Sequence, residues 1–353
     1  MAPGSTMLTA GTETRPGARV LPFESPASIA VLVPCLNEAA AIAKVVADFR
    51  SALPEAKVFV YDNGSLDGTP EIARAAGAIV RIEPMRGKGN VVRRMFADIE
   101  ADVFVLVDGD DTYDAGRAPT LISMLLERSL DMVNGSRRSE ATGAYRRGHR
   151  VGNRLLTGLT AAFFGERLSD LLSGYRVFSR RFVKSFPALA SGFEIETELS
   201  VHALQLRMPI AEVATEYRER PRGSASKLST YRDGFRILRT ILYLVKEEKP
   251  LAFFSIAGAI AAIISIALGI PLIIEFMRTH LVPRLPTALL AAAIAILAFL
   301  SFGCGLILDS VSRGRAEVKR LWYLSVPVRF TPVRPMSPHH ARASHGAPLR
   351  RRR

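Results

Sequence analysis

Three carboxylates, Asp108, Asp110 and Asp111, follow almost directly on the apolar run Val103-Phe104-Val105-Leu106-Val107. Two acids separated only by Gly109 can turn oxygens toward one hard divalent cation. Mg²⁺ and Mn²⁺ favour oxygen ligands and commonly share them with bound phosphates. The preceding run has the β-branched and aromatic make-up of a buried strand. In an open α/β sheet, ligands bind beyond the carboxyl ends of the strands, so these acids stand where a phosphorylated ligand would sit. A lone Asp-x-Asp after a core strand is more often only a polar loop. The surrounding chain decides between the two readings.

That chain repeats the pattern of strand, loop and helix. Ile29 to Val33 form a short apolar strand leading into Pro34-Cys35-Leu36-Asn37-Glu38, where Asn37 is suited to cap a helix whose inner face is Ile42, Val45, Val46 and Phe49. Val58 to Tyr61 run into Asp62-Asn63-Gly64-Ser65-Leu66-Asp67-Gly68-Thr69, and Thr69-Pro70 reads as a helix cap followed by the first helical residue. Gly77 stops that helix, and Ala78 to Ile82 read as a third strand. Arg86-Gly87-Lys88-Gly89-Asn90 then opens another helix. Its glycines permit close backbone approach, and a lysine at a helix amino end suits an anion. After the strand at 103–107 come a helix near 117–129 and Met132-Val133 leading into Asn134-Gly135-Ser136-Arg137-Arg138. Strands alternating with helices imply a mostly parallel sheet in an α/β, Rossmann-like domain.

The order PCLNE, DNGSLDGT, RGKGN, DGDD and SDLLSGYRVF over residues 27–250 resembles the inverting family-two glycosyltransferases of the GT-A fold, and within them the polyprenyl-phosphate (dolichyl-phosphate) sugar synthases. The resemblance implies a nucleotide-sugar donor, with a UDP-sugar favoured over GDP-mannose, a Mg²⁺ or Mn²⁺ ion, and a lipid-phosphate acceptor. Carried over by position, Pro34, Leu36 and Glu38 would border the nucleoside, Asp62 would accept from the base, and Lys88 and Asp108 would lie along the donor. Asp108 and Asp110 would hold the metal and diphosphate. Asp170 and Arg176 would lie beside the reacting centre with Asp110. Arg137, Arg176, Arg222, Ser226 and Lys227 would hold the acceptor phosphate. Three positions depart from the pattern: Asn63 replaces a frequent second Asp, Leu36 a common aromatic, and Thr112 a glutamine of some relatives. They leave the base and the sugar open, but not the reaction class.

Other segments admit plainer readings. Asp170 and Arg176 could be a structural pair bracing a turn. Arg146-Arg147-Gly148-His149-Arg150 precedes an apolar helix over 155–164, and the glutamates of Gly192-Phe193-Glu194-Ile195-Glu196-Thr197-Glu198 are favourable at a helix amino end without further purpose. Arg218, Arg220 and Arg222 lead into Ser226 and Lys227 as a basic loop. His149, His202 and the histidines of the tail have no ligand spacing, and the cysteines, Cys35 and Cys304, form no disulfide framework.

Apolar positions 228, 231, 235, 238, 242 and 245 mark an amphipathic helix over 228–250. Two uncharged runs follow, Leu251 to Ile274 and Leu285 to Leu308, each longer than the roughly 20 residues needed to cross a bilayer. The net charge of +14 is concentrated from Ser312 onward, where eleven Lys/Arg face one acid. A basic tail after membrane spans fits anionic lipid rather than nucleic acid. The domain reading is a disordered leader (1–26), a catalytic domain (27–227), an interfacial helix (228–250), a membrane hairpin (251–311) and a basic tail (312–353). The positive-inside rule puts the catalytic domain and tail on the cytoplasmic side, at the plasma membrane in a bacterium. An ionised lipid phosphate needs no strong base, so Asp170 is read as a positioning group, with a base role still allowed. A homo-oligomer is possible. The competing readings are a transferase acting on a sugar hydroxyl and a catalytically silent membrane scaffold. A processive polysaccharide synthase is disfavoured, because Gln205, the sole glutamine, is followed by Leu-Arg-Met rather than the expected x-x-Arg-Trp.

Overall fold

A computed structural model describes residues 27–138, 158, 168–218, 220, 243 and 245–327. The leader 1–26, the helix expected over 155–164, residues Arg222, Ser226 and Lys227, most of the interfacial helix expected over 228–250, and the tail beyond 327 lie outside the described residues.

The apolar runs form the strands. β1 (Ile29–Cys35), β2 (Lys57–Asp62), β3 (Ile79–Ile82) and β4 (Val103–Leu106) lie parallel, joined by β5 (Met132–Arg138), β6 (Arg176–Ser179) and β7 (Ile210–Glu216) in one seven-stranded sheet. The spatial order is β3-β2-β1-β4-β6-β5-β7. Only β6 is reversed, antiparallel to both β4 and β5. The central strands are covered on both faces, which is why they read as unbroken apolar runs rather than alternating ones. Ala30, Leu32, Phe104, Leu106 and Phe178 face one core, filled by α3 (Lys88–Asp98), α5 (Arg180–Ser185) and α6 (Ile195–Gln205). Val31, Val33, Val103, Val105 and Val177 face the other, filled by α1 (Ile42–Ala52), α4 (Ala118–Glu127) and Ala73 of α2 (Thr69–Ala75).

Two helix starts differ from the sequence reading. α1 begins at Ile42, beyond Asn37, which has a left-handed backbone (φ 51°) and accepts a hydrogen bond from Leu66 N at 2.9 Å. Asn37 therefore stitches the loops after β1 and β2 together instead of capping a helix. Thr69 is the first residue of α2, with Gly68 (φ 83°) in the cap position. The Thr69 hydroxyl bonds Asp67 and accepts from Glu38 N at 2.9 Å.

Among the described residues, two helices are long and apolar enough to cross a membrane: α7 (Pro250–Thr279) and α8 (Leu285–Ser325), each with a mean hydropathy of 2.5 over an 18-residue stretch. They pack closely on each other, with Ser265 Oγ donating to Ala291 O at 2.8 Å and Ser301 Oγ to Phe254 O at 2.9 Å. At 1.5 Å per residue, the 41 residues of α8 extend about 60 Å, against a hydrocarbon core of roughly 30 Å. The surplus is the stretch from Ser312, read from sequence as tail. It continues the helix and bonds to the sheet domain.

Along that extension, Ser312 Oγ donates to Glu247 O at 3.0 Å and Lys319 Nζ to Gln205 Oε1 at 2.8 Å. Tyr323 OH donates to Asp131 Oδ2 at 2.7 Å, with the Arg181 guanidinium 4.9 Å from the Tyr323 ring centroid. The other oxygen of Asp131, a buried residue, accepts from Ser179 Oγ at 2.6 Å. Tyr323→Phe keeps the ring but removes a hydrogen bond to this carboxylate, a loss of about 1.5–3 kcal/mol. Its thermal midpoint in detergent should fall by several degrees. An unchanged midpoint would mean that the extension does not brace the domain.

Candidate active site

The functional side chains converge beyond the carboxyl ends of β1, β2 and β4. Register sets this edge: Cys35 lies opposite Asp62, and Leu32 opposite Leu106 two residues before Asp108. Pro34 and Leu36 are half-buried at the mouth of β1, and Glu38 is buried.

Asp62, expected to meet a base, directs its oxygens into its own loop. Oδ2 accepts from Gly64 N and Ser65 N, both at 2.9 Å, and Oδ1 accepts from the Ser65 hydroxyl. The next residue explains a departure noted in the sequence. The Asn63 amide donates to Glu83 O and Met85 O, both at 2.8 Å, and accepts from Gly87 N at 2.7 Å. It clasps the loop before α3 to the loop after β2. An aspartate there could accept but not donate, and two buried carbonyls would lose their partner.

Asp108, Lys88 and Glu196 form a buried line of charge. Lys88 Nζ bonds Asp108 and stands 2.6 Å from Glu196 Oε1, with both the lysine and the glutamate side chains only 9% exposed. Burial works against the lysine's charge, but the two carboxylates outweigh it and hold its pKa well above the ordinary value. Burial raises the Glu196 carboxyl, an effect that Lys88 partly offsets. Lys88, expected along the donor, is thus anchored between two acids. Sequence reasoning passed over Glu196 as a helix-end acid. The available signal was its place on the apolar side of α6, in helical register with Leu199 and Ala203.

Asp110 is 3% exposed. Its Oδ1 accepts from Thr112 Oγ1 at 2.6 Å, and its Oδ2 meets Arg220 Nη2 at 2.6 Å. Burial and the neighbouring Asp108 raise its pKa, against Arg220 and Thr112. Asp111 turns away to Lys44 at 2.8 Å. Gly174, just before β6, lies so close to Asp108 that a Cβ there would collide with the carboxylate. Among the described residues, no group of three or more His, Cys, Asp or Glu side chains forms a metal site. The hard oxygens of Asp108 and Asp110 suit Mg²⁺ or Mn²⁺ in a site completed by phosphates and water, the usual manner of Mg²⁺.

The other half of the site is built on Asp170. Its partner is Arg137 of β5, through Nε at 2.6 Å, Nη2 at 2.8 Å and the backbone N at 3.2 Å. Burial opposes the Asp170 charge, but this two-pronged pairing outweighs it and holds the carboxyl below its usual range. Glu212 of β7 fixes the same turn, accepting from Ser169 N at 2.7 Å and Asn134 Nδ2 at 2.8 Å. Arg137 also lies 5.5 Å from the Tyr217 ring centroid. Tyr217 packs on Tyr113, whose hydroxyl accepts from Gly174 N at 2.9 Å.

The expectation for Arg176 requires correction. It is fully buried on β6, with its guanidinium turned inward. Its Nε donates to Ser173 O (3.0 Å), its Nη2 to Leu171 O (2.8 Å) and its Nη1 to Ser200 Oγ (2.9 Å). It supports the 171–175 turn from beneath. An Asp170–Arg176 pair, inferred from their closeness in sequence, is replaced by Asp170–Arg137. Arg222, Ser226 and Lys227 lie outside the described residues.

Comparison with known proteins agrees with this geometry. The model of glycosyl transferase family 2 matches residues 30–186. The chain is 38% identical over 236 residues to the glycosyltransferase AglJ of Haloferax volcanii, covering 66% of this chain and 77% of that one. It is 29% identical over 221 residues to the dolichyl-phosphate hexose transferase of the same organism, covering 63% and 95%. Among solved structures, glucosyl-3-phosphoglycerate synthase from Mycobacterium tuberculosis, in complex with Mn²⁺, UDP and glucosyl-3-phosphoglycerate, aligns with a TM-score of 0.53 at 26% identity, covering 63% of this chain and 80% of that one. With its GT-A-like α/β fold and the Asp108-Gly109-Asp110 loop at the sheet edge, the chain belongs to glycosyltransferase family 2.

Proposed function

We propose that this protein is a membrane-bound inverting hexosyltransferase that moves a sugar from a nucleotide-sugar donor, a UDP-sugar in preference to a GDP-sugar, to polyprenyl phosphate. The product would be a lipid-linked sugar for envelope glycan or glycoprotein assembly. The observation carrying this reading is that the domain bearing a donor-type acidic site is followed by a two-helix membrane hairpin, whose α8 extension bonds Gln205 and Asp131 of that domain. A hairpin of this kind would keep the domain close to a bilayer, where a lipid phosphate resides. The dolichyl-phosphate relative supports the acceptor class, and the UDP- and Mn²⁺-bound neighbour supports the donor. Lys and Arg crowd the catalytic-domain side of the hairpin, and Arg278 and Arg284 alone flank the turn between its helices, which supports a cytoplasmic site.

Asp108 and Asp110 would hold Mg²⁺ or Mn²⁺, which when bound stabilises charge growing on the departing nucleoside diphosphate. Lys88 pairs with Asp108 at the mouth of β4. Arg137, oriented by Asp170, presents a cation toward the acceptor side, with Arg222, Ser226 and Lys227 assigned there as well. The nucleophile is a phosphate oxygen already ionised near neutral pH, since its second pKa is about 6. No residue has to remove a proton. Attack opposite the leaving group would convert an α-linked donor into a β-linked product.

A panel of nucleotide sugars tested for radiolabel transfer into polyprenyl phosphate examines the reading directly. A UDP-hexose should label the lipid, and absence of lipid labelling across the panel would remove the proposal. Asp110→Asn should remain folded, because its site lies at the sheet edge, yet lose roughly 10²–10³-fold in transfer. Near-normal turnover of the native protein in excess chelator would instead dismiss the metal assignment.

The pH profile separates phosphate from hydroxyl acceptors. The folded pKa of Asp170 lies below its unfolded value of about 3.9, so its pairing with Arg137 contributes stability above that value and loses it only as pH falls through the lower folded pKa. Between pH 5 and 8 the pair stays ionised. The acid limb of kcat/KM for the acceptor should therefore fall near pH 6, set by the phosphate, and stay there in Arg137→Gln although the overall rate drops. A limb that moves upward in this variant would identify Asp170 as a base acting on a hydroxyl.

A further inference from the structure

α8 has two faces with different neighbours. Its buried residues, Ala291, Ala298, Gly305 and Ser312, recur every seventh position and face α7 and the segment before it. On the opposite side a second seven-residue repeat is exposed. Leu297, Cys304, Val311 and Val318 fall at one position of this repeat, the a position of a heptad. Leu300, Ile307, Gly314 and Leu321 fall three residues later, at d. Apolar residues at a and d form the seam along which one helix packs on another, and a period of 3.5 keeps that seam on one side over many turns.

The seam runs past the reach of lipid. With the uncharged run 285–308 in the hydrocarbon, the headgroup layer adds only about 5–8 Å on each side. At 1.5 Å per residue, Val318 and Leu321 lie roughly 9 and 14 Å beyond Ser312. They are 54% and 66% exposed, and Trp322 beside them is 63% exposed. A contiguous apolar face in water, continuous with one in lipid, marks a surface that another protein covers. Among the described residues, nothing lies within 4 Å of a Cβ built at Gly314, so a second helix has room to approach there.

We propose that this seam pairs two copies of the chain, with their α8 helices parallel about a twofold axis along the bilayer normal. Copies inserted in the same orientation can meet only in parallel, which sets each seam residue against its own counterpart at the same depth. A second copy thus supplies a matching heptad seam that leaves the lipid at the same height. Valine at a with leucine at d, as in Val311, Val318 and Leu321, favours two strands over three or four. The flanking positions agree: Ser310 and Glu317 of one helix would face Arg315 and Trp322 of the other, with no like charges opposed. Arg315 is also drawn back toward Glu247 of its own chain, at 2.6 Å.

Cys304 reports the pairing, since Cys35 is buried and Cys304 is exposed. Facing a positions of a parallel pair bring their Cα atoms into the range of about 4.4–6.8 Å that a disulfide spans. The full chain, purified and placed in liposomes, is treated with copper–phenanthroline in air. A species with the mass of two chains should form, and Cys304→Ser should lose it. In that background Ile307→Cys, on the seam, should restore the crosslink, whereas Leu306→Cys, exposed but off the seam, should not. Val318→Glu replaces a side chain that is exposed in the single chain, so it should keep the native thermal midpoint. It should nevertheless lose the Cys304 crosslink and shift the sedimentation mass in detergent from two chains to one. Single-chain mass of the native protein without a crosslink overturns the proposal. Equal crosslinking at Leu306→Cys and Ile307→Cys, the mark of random collision, also overturns it. A crosslink unaffected by Val318→Glu removes the part of the seam that lies in water.

Discussion

Four carboxylates, Asp108, Asp110, Asp111 and Asp170, crowd the edge of one sheet, and each is matched by a cation delivered from a different element. Lys88 comes from the start of α3, Arg220 from beyond β7, Lys44 from α1 and Arg137 from β5. Carboxylates crowded at one edge repel one another, and each pairing offsets part of that repulsion. The loops of the site are consequently ordered by charge as much as by packing. Each pairing ties residues 20 to 110 positions apart, so the conformation of one loop depends on elements folded elsewhere in the chain.

The arginines divide into two kinds of support. Arg176 is enclosed beneath the 171–175 turn and satisfies backbone carbonyls, so its contribution is to the shape of the floor. Arg137 lies above that floor, gripping Asp170 with its planar fork while its face meets Tyr217. A lysine could supply the charge at either position but not the geometry of several directed donors in one plane. The division holds the Arg137 charge against Asp170 and away from the Asp108–Asp110 pair.

The sheet was legible in the sequence because its central strands are short apolar runs with acids or glycine-rich loops at their ends, a local signal. The two membrane-length helices were equally plain. What adjacency in sequence misled was partner choice. Asp170 and Arg176 lie six residues apart, yet β6 turns the arginine inward while β5 brings Arg137 across. Glu196 and Glu212 carried no local mark of their partners, Lys88 and the 169–170 turn, which only the tertiary fold brings near. Asn63 looked like a lost carboxylate until the two carbonyls it binds came into view. The helical continuation past Ser312 was hidden by its charge, because basic residues that suit a solvated tail suit equally well a helix gripping an acidic surface.

The reversed direction of β6 has a consequence for how such a site can diversify. In a wholly parallel sheet only the segments that follow strands reach the ligand edge. Here β5 ends at that edge and its neighbour β6 begins there, so everything between Arg138 and Arg176 enters and leaves on the same side as Asp108. Lengthening that connection shifts no strand register, and each doubling of a connection's length adds only about 0.6 kcal/mol in closure entropy. Added residues there would leave the loops after β1, β2 and β4 in place, since the parallel strands fix those loops. The topology thus separates a connection whose length is free to change from loops that the parallel strands hold in register.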